Sequence, residues 1–270
     1  MGIINITPDS FSDGGDFFVN GKIALHHVRE KAEEMIESGA DILDIGGESA
    51  RPGALPVSIS EEIERVIPVL EELKDLPTIL SLDTSKPEVA EQGIEAGCNI
   101  INDIRGFSRL GMLEVAAAAS VGLCIMHMQG VPETMQADPA YDDISDELLS
   151  FFEKRIGACL DRGIKRNRLI LDPGFGFGKN LDHNLALLNN LERMRVGGLP
   201  IMVGLSRKSM LGALTGRPVS DRVVASAVAN AIAFTRGANI FRVHDVAATS
   251  DALKVVQAMA WDNVGEKHHE

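Results

Sequence analysis

A closed (β/α)8 barrel, the TIM barrel of the α/β class, is the fold this sequence predicts, and three observations predict it. Short apolar runs alternate with longer amphipathic segments. The alternation repeats eight times within 270 residues. No linker, charge block or low-complexity stretch divides the chain, so residues 1–270 read as a single domain. Strand–helix alternation implies parallel strands joined by right-handed crossovers. Eight such units in about 250 residues suit closure better than an open doubly wound sheet.

The apolar runs are Gly2–Ile6, Ile42–Ile45, Thr78–Leu82, Asn99–Ile101, Leu123–Met126, Leu169–Leu171, Ile201–Gly204 and Asn239–Val243. Most are continuously apolar, as strands covered on both faces are. Between them, Ile23–Glu37, Glu61–Leu73, Pro87–Ala96, Ile144–Arg162 and Asp221–Thr235 carry charge at helical spacing. Ser38-Gly39, Ala96-Gly97, Arg162-Gly163 and Arg236-Gly237 supply the expected C-cap chemistry just before a strand.

Lys and Arg number 26 against 39 Asp and Glu, a net charge of −13. That balance opposes nucleic acid or a membrane surface as partner, since both need a basic face. It leaves room for a local basic pocket that takes a small anion. A composition 45% hydrophobic and 24% charged fits a globular enzyme and not a disordered chain. Cys98, Cys124 and Cys159 form no CxxC pair and read as buried, neutral thiols in a reducing compartment. No basic segment precedes the first apolar run, and no run reaches the roughly 18 residues of a membrane span. A cytoplasmic protein is the expectation.

Each strand ends in, or is closely followed by, a reactive side chain. In order these are Asn5, Asp44 with Glu48, Asp83, Asn102 with Asp103, His127, Asp172, Ser206 with Lys208, and Arg242 with His244. In a barrel they crowd the rim at the carboxyl ends of the strands, where barrel enzymes do chemistry. Asp83, Asp172, Asn102 and Lys208 would form a deep polar pit. Such a set complements a flat heterocycle with adjacent N–H donors and a carbonyl oxygen, because a carboxylate accepts two hydrogen bonds side by side. Arg51, Arg242, His244 and Asn5, nearer the rim, suit a phosphate group.

Asp172 through Lys179 has the look of a phosphate loop and fails both tests. A dinucleotide fingerprint needs Gly where Lys179 stands, and a Walker loop needs Ser or Thr where Asn180 stands. Its glycines would let the backbone and Phe177 approach a flat ligand, and a tight βα turn fits equally well. Gly204-Leu205-Ser206-Arg207-Lys208-Ser209 suits an anion or carbonyl, with a Schiff-base lysine as the rival reading. His127 and His244 lack the spacing of a zinc site. A hard cation such as Mg2+, held by Asn5 and a loop Asp together with substrate phosphates, is the metal expected. The long loops Thr7–Asn20 and Gly46–Ser58 belong at the catalytic mouth, while Gln129–Asp143 reads as either a lid or plain surface.

Taken in series, several segments resemble the dihydropteroate synthases. They are Asn5 through Gly15, Asp44 through Ser49, Asp83-Thr84-Ser85-Lys86-Pro87, Ile101 through Arg105, Met126 through Gly130, Asp172 through Lys179, Ser206 through Ser209, and Arg242 through Val246. The match runs from Gly2 to about Val256. The resemblance implies condensation of 6-hydroxymethyl-7,8-dihydropterin pyrophosphate with 4-aminobenzoate, releasing pyrophosphate. It implies that Asp83, Asn102, Asp172 and Lys208 hold the pterin, and that Asn5 and Asp13 bind Mg2+. It implies that Arg51, Arg242 and His244 bind the pyrophosphate. Ser206, Phe177, Phe11 and Pro52 would line the aminobenzoate slot, and Met126 and Gly204 complete the substrate-binding set. Asp83, Asp172, Lys208 and Arg242 would carry the catalysis, in a homodimer formed through the last helices.

Two departures from the family pattern stand out. Ala50 occupies the position between Ser49 and Arg51 where the family usually has Thr, which bears on affinity for aminobenzoate and for sulfonamides that imitate it. Members also usually carry an N-terminal hairpin under the barrel floor, whereas this sequence starts almost at its first strand; reduced stability, not altered mechanism, is the expectation. A pterin-dependent methyltransferase and a non-catalytic pterin-binding protein remain as alternatives.

Overall fold

The computed structural model describes residues 1–7, 17–19, 21–49, 53–132 and 134–265, with side chains described to residue 259. The first strand, β1 (Gly2–Asn5), leads through a short antiparallel pairing of Phe18–Val19 with Lys22–Ile23 into α1 (Leu25–Glu37). Then follow β2 (Ile42–Gly46), α2 (Ile59–Leu73), β3 (Ile79–Asp83), α3 (Pro87–Glu95), β4 (Ile100–Asp103), α4 (Met112–Ala118) and β5 (Gly122–Met126). The chain continues through α5 (Ile144–Leu160), β6 (Leu169–Asp172), α6 (Leu181–Asn189), β7 (Met202–Val203), α7 (Ser209–Thr215), α8 (Val223–Thr235), β8 (Ile240–Phe241) and α9 (Val246–Gly265).

Strands β1 to β6 form one parallel sheet in chain order, and β7 pairs with β8 in parallel. Single bridges join the two pieces at both seams, Leu171 to Ile201 and Gly2 to Val243. Backbone bonds run across each seam: Leu171 N to Pro200 O at 3.0 Å, Ile3 N to Val243 O at 3.2 Å, and Val243 N to Met1 O at 2.9 Å. The ring of eight parallel strands is thereby closed. β7 and β8 are two residues each, shorter than the apolar runs that predict them, because the barrel pairs only their middles in regular fashion.

The continuously apolar runs have a physical reason. Side chains alternate between the two faces of a strand. One set, including Leu43, Ile45, Leu80, Leu82, Ile101, Leu123 and Val203, packs outward in the main core with the helices. The other set points to the barrel axis. Its lower layer is apolar: Ile42, Ile100, Cys124 and Met202, with Met1, Ile170 and Ile240 against them. Two residues further along each strand the inward layer turns polar, with Asp44, Asn102, Asp172 and Arg242, interrupted by Met126 and Gly204. The sequence thus writes a floor and, one pleat above it, a pit.

Helix caps follow the local chemistry. Gly39, Gly97, Gly163 and Gly237 all adopt positive φ, between +77° and +105°, at the ends of helical segments. Ser58 accepts a bond from Glu61 N at 3.2 Å and opens α2 two residues earlier than the charge pattern suggests. The three cysteines are free and buried, and burial pushes each thiol up, Cys98 to about 12. Among the described residues no helix is long and apolar enough to cross a membrane.

Candidate active site

Register sets the upper layer. Asn5 is the Cα partner of Gly46, Gly46 of Asp83, and Asp83 of Asn102, so one rung crosses β1 to β4 at the carboxyl ends. Just below lies Asp44, fully buried, the acceptor for three groups. Ser81 Oγ donates to it at 2.6 Å, Asn102 Nδ2 at 3.2 Å and Arg242 Nε at 2.6 Å. Arg242 reaches on through Nη2 to Asp83 Oδ2 at 2.9 Å. Its guanidinium therefore bridges two carboxylates inside the pit. Asp44, named by the sequence among the strand-end residues but given no role in the pit, is the hub of this arrangement. Its signal was the register: it is the inward residue two after Ile42.

Asn102 is buried, and while Nδ2 is engaged, its Oδ1 has no partner. A buried carbonyl oxygen without a donor is costly, so this atom marks where a ligand N–H is wanted. Asp172, also buried, accepts from Gly174 N at 2.7 Å through Oδ1. Lys208 follows β7 and is half-buried, its Nζ 4.1 Å from the centre of the Phe177 ring. Arg222 donates to Arg207 O at 3.0 Å and fastens the turn that carries Lys208.

The electrostatics are those of a dry pit. Burial pushes the Asp172 carboxyl up to about 6, against the pull of the Gly174 N–H, Lys208 and Arg242. Burial pulls the Lys208 ammonium down to about 8, with Arg242 adding to the effect and Asp172 and Asp83 opposing it. Burial raises Asp83 as well, Arg242 opposing and Asp44 reinforcing. His244 sits behind, its Nδ1 3.1 Å from Ser206 Oγ, and burial followed by the Arg242 charge pulls it to about 3. It is neutral near pH 7, a hydrogen-bonding imidazole and not a cation.

A pH dependence follows from Asp172. The folded protein keeps its proton up to about 6, while the unfolded chain releases it near the ordinary 3.8. Between those values the folded state binds more protons, so stability falls as pH rises through that window. Asp172→Asn is expected to flatten this stretch of the curve of Tm against pH for the ligand-free protein; an unchanged slope would contradict the assignment.

The structure brings together Asp83, Asn102, Asp172, Lys208, Arg242, Phe177, Ser206 and His244 at one end of the barrel, with Met126, Gly204 and Asn5 on the same inward faces. Phe11, Asp13, Arg51 and Pro52, together with Ala50, lie outside the described residues. Among the described residues no group of three His, Cys, Asp or Glu side chains could cage a metal ion. A cation arriving with a polyphosphate needs less: one or two hard oxygens, the rest coming from phosphate and water. Asn5 meets that need. A Cβ on Gly46 would stand 3.4 Å from Asn5 Oδ1 and 3.6 Å from Asp83 Cβ, so the glycine leaves open the space beside the amide oxygen.

Comparison with known proteins decides the family. Residues 1–244 match the protein family described as pterin binding enzyme. The dihydropteroate synthase of Haemophilus influenzae is 50% identical over 261 residues, covering 96% of this chain and 93% of that protein. The chain belongs to the dihydropteroate synthase family. The Yersinia pestis dihydropteroate synthase, solved with a sulfonamide drug complex, superposes with a TM-score of 0.92 at 47% identity, covering 96% of this chain and 93% of that one. The Burkholderia cenocepacia dihydropteroate synthase, solved with 7,8-dihydropteroate, gives 0.88 at 45% identity, covering 98% and 92%.

Proposed function

We propose that this protein is a single pterin-binding barrel that condenses 6-hydroxymethyl-7,8-dihydropterin pyrophosphate with 4-aminobenzoate to give 7,8-dihydropteroate and pyrophosphate. The observation that carries the reading is the buried, partnerless Asn102 Oδ1 within a pit of unbalanced charge. Three carboxyl side chains, Asp44, Asp83 and Asp172, share the pit with two basic ones, Arg242 and Lys208. A donor-rich ring that gains positive charge fits that imbalance.

In the reaction, the methylene C–O bond breaks and its electron pair leaves with pyrophosphate. The aniline nitrogen supplies a new pair to the methylene carbon and loses one proton. No side-chain nucleophile is needed. Asp172 and Asp83 stabilise the positive charge that develops on the pterin, and Asn102 and Lys208 fix the ring in plane. Arg242 holds Asp44 and Asp83 in place and, with Arg51 and the neutral His244, faces the departing anion. Preorganised charge of this kind commonly supplies the largest part of a rate enhancement. Phe177, Ser206, Phe11 and Pro52 receive the aryl amine, and Met126 and Gly204 border the ring. Asn5, with Asp13, would hold Mg2+, which when bound neutralises the pyrophosphate.

The protein acts as a homodimer in this reading. Val224, Val228 and Ile232 recur at four-residue spacing on α8 and stay exposed, as does Val255 of the adjoining α9. A second copy of the chain would cover this stripe, and sedimentation at twice the chain mass checks it. The function itself is tested by incubating the protein with dihydropterin pyrophosphate, 4-aminobenzoate and Mg2+. Equal amounts of dihydropteroate and pyrophosphate are expected; pterin binding without product would sink the reading.

A further inference from the structure

Lys179 is only 3% exposed, yet no step of the reaction uses it. Its ammonium is completely occupied by two carbonyls of its own loop and by His127. Nζ lies 3.0 Å from Gly174 O, 3.0 Å from Phe177 O and 3.0 Å from His127 Nδ1. Those bonds account for every donor an ammonium has. His127 accepts at Nδ1, since burial and the adjacent Lys179 charge pull the imidazole to about 3 and keep it neutral.

The rest of the loop is tied down on the same outer side. Gln136 Nε2 donates to Gly176 O, Tyr141 Oη donates to Gly178 O at 2.8 Å, and Gly176 N donates to Asn184 Oδ1 at 2.8 Å. Gly174 has φ +68°, and a Cβ there would stand 1.9 Å from His127 O, so the loop is pressed against the end of β5. The carbonyls of Gly174, Gly176, Phe177 and Gly178 are thus all claimed by the protein. The Phe177 side chain is what the loop offers to the pit, beneath Lys208 Nζ. Burying an ammonium is costly, and a lysine spent this way is spent on shape.

We propose that Lys179 is a positioning residue for the second substrate. Its ammonium draws the Gly174 and Phe177 carbonyls inward against His127 and so presents the Phe177 ring, beside Lys208, as one wall of the aryl-amine slot. The proposal rests on the reading of function given above.

The test is a double-mutant cycle. Lys179→Met is expected to raise KM for 4-aminobenzoate about ten-fold and to change the Kd of 6-hydroxymethylpterin, measured by calorimetry, by less than about two-fold. In a Phe177→Leu background the same substitution is expected to change KM for the amine by less than about two-fold, because the wall it positions is already gone. Tyr141→Phe removes another tie of the same loop without touching a buried charge, and is expected to raise the same KM by about two- to three-fold. If Lys179→Met does not fold, that variant carries the test. Equal losses for pterin and amine, full additivity with Phe177→Leu, or an unmoved KM in Tyr141→Phe would overturn the proposal. Absence of product from the unaltered chain overturns the reading of function, and this proposal with it; product from the unaltered chain beside unselective losses in the variants overturns this proposal alone.

Discussion

Arg242→Ala is expected to lower kcat/KM for dihydropterin pyrophosphate by about 10²–10³-fold, the scale of removing one preorganised charge from an active site. It is expected to unfold more easily as well. Arg242 is bound to Asp44, which is fully buried, and to Asp83, which is half-buried. Removing the guanidinium leaves both carboxylates without their cation. Breaking a buried pair costs about 3–5 kcal/mol, and the lower end applies here because the arginine keeps some solvent contact. For a chain of this size that corresponds to a fall in Tm of roughly 6–10 °C. Arg242→Lys separates charge from shape. A lysine restores the charge and loses the fork that lets Nε and Nη2 serve two carboxylates at once, so it should recover stability more than rate. Kinetics of Arg242→Ala within two-fold of the parent, checked in the coupled pyrophosphate assay, would remove Arg242 from the centre of the mechanism.

The strands were readable because each carries two kinds of information. Leu43 and Ile45 face the helices, Ile42 faces the barrel floor, and all three are apolar, so the run around Asp44 stands out as a strand. The polar residue one pleat above the floor marks the pit, which is why Asp83, Asn102, Asp172 and Arg242 could be found in order along the chain. Their pairing could not. Arg242 and Asp44 are 198 positions apart, and nothing local in either segment names the other. Arg242 was expected to face an anion at the rim, and its bonds to Asp44 and Asp83 were not legible beside that expectation. Lys179 was visible only as the residue that spoils a dinucleotide fingerprint; its burial depends on His127 arriving from the preceding strand. The helices show the same limit. Charges at helical spacing announce a solvent face, and that rule misplaces Glu62, which α2 turns inward.

Glu62 leads to the largest stability effect expected outside the pit. It is 1% exposed and faces Lys86, which is itself buried at the start of α3. Lys86 Nζ donates to Glu62 Oε2 and to Glu48 Oε2, and Thr84 Oγ1 donates to Glu62 Oε1 at 2.6 Å. The cluster ties the loop after β2 to α2 and to the residues that follow Asp83. Arg65 adds a bond to Gly47 O at 2.7 Å, so the root of that loop is held from two sides. Lys86→Met fills the same volume and leaves Glu62 without its cation. A loss of about 3–5 kcal/mol at neutral pH is expected. Burial already raises the Glu62 carboxyl above its ordinary 4.5, with Lys86 as the main opposing influence, so the variant should raise it further. A carboxyl raised in the folded state costs stability as pH climbs through its range and costs nothing while both states are protonated. The Tm deficit of Lys86→Met should therefore shrink as pH is lowered toward 4.5. Adding Glu62→Gln should recover most of the deficit at pH 7, because an amide of the same shape needs no cation. A deficit independent of pH and untouched by Glu62→Gln would mean that Lys86 acts through packing alone.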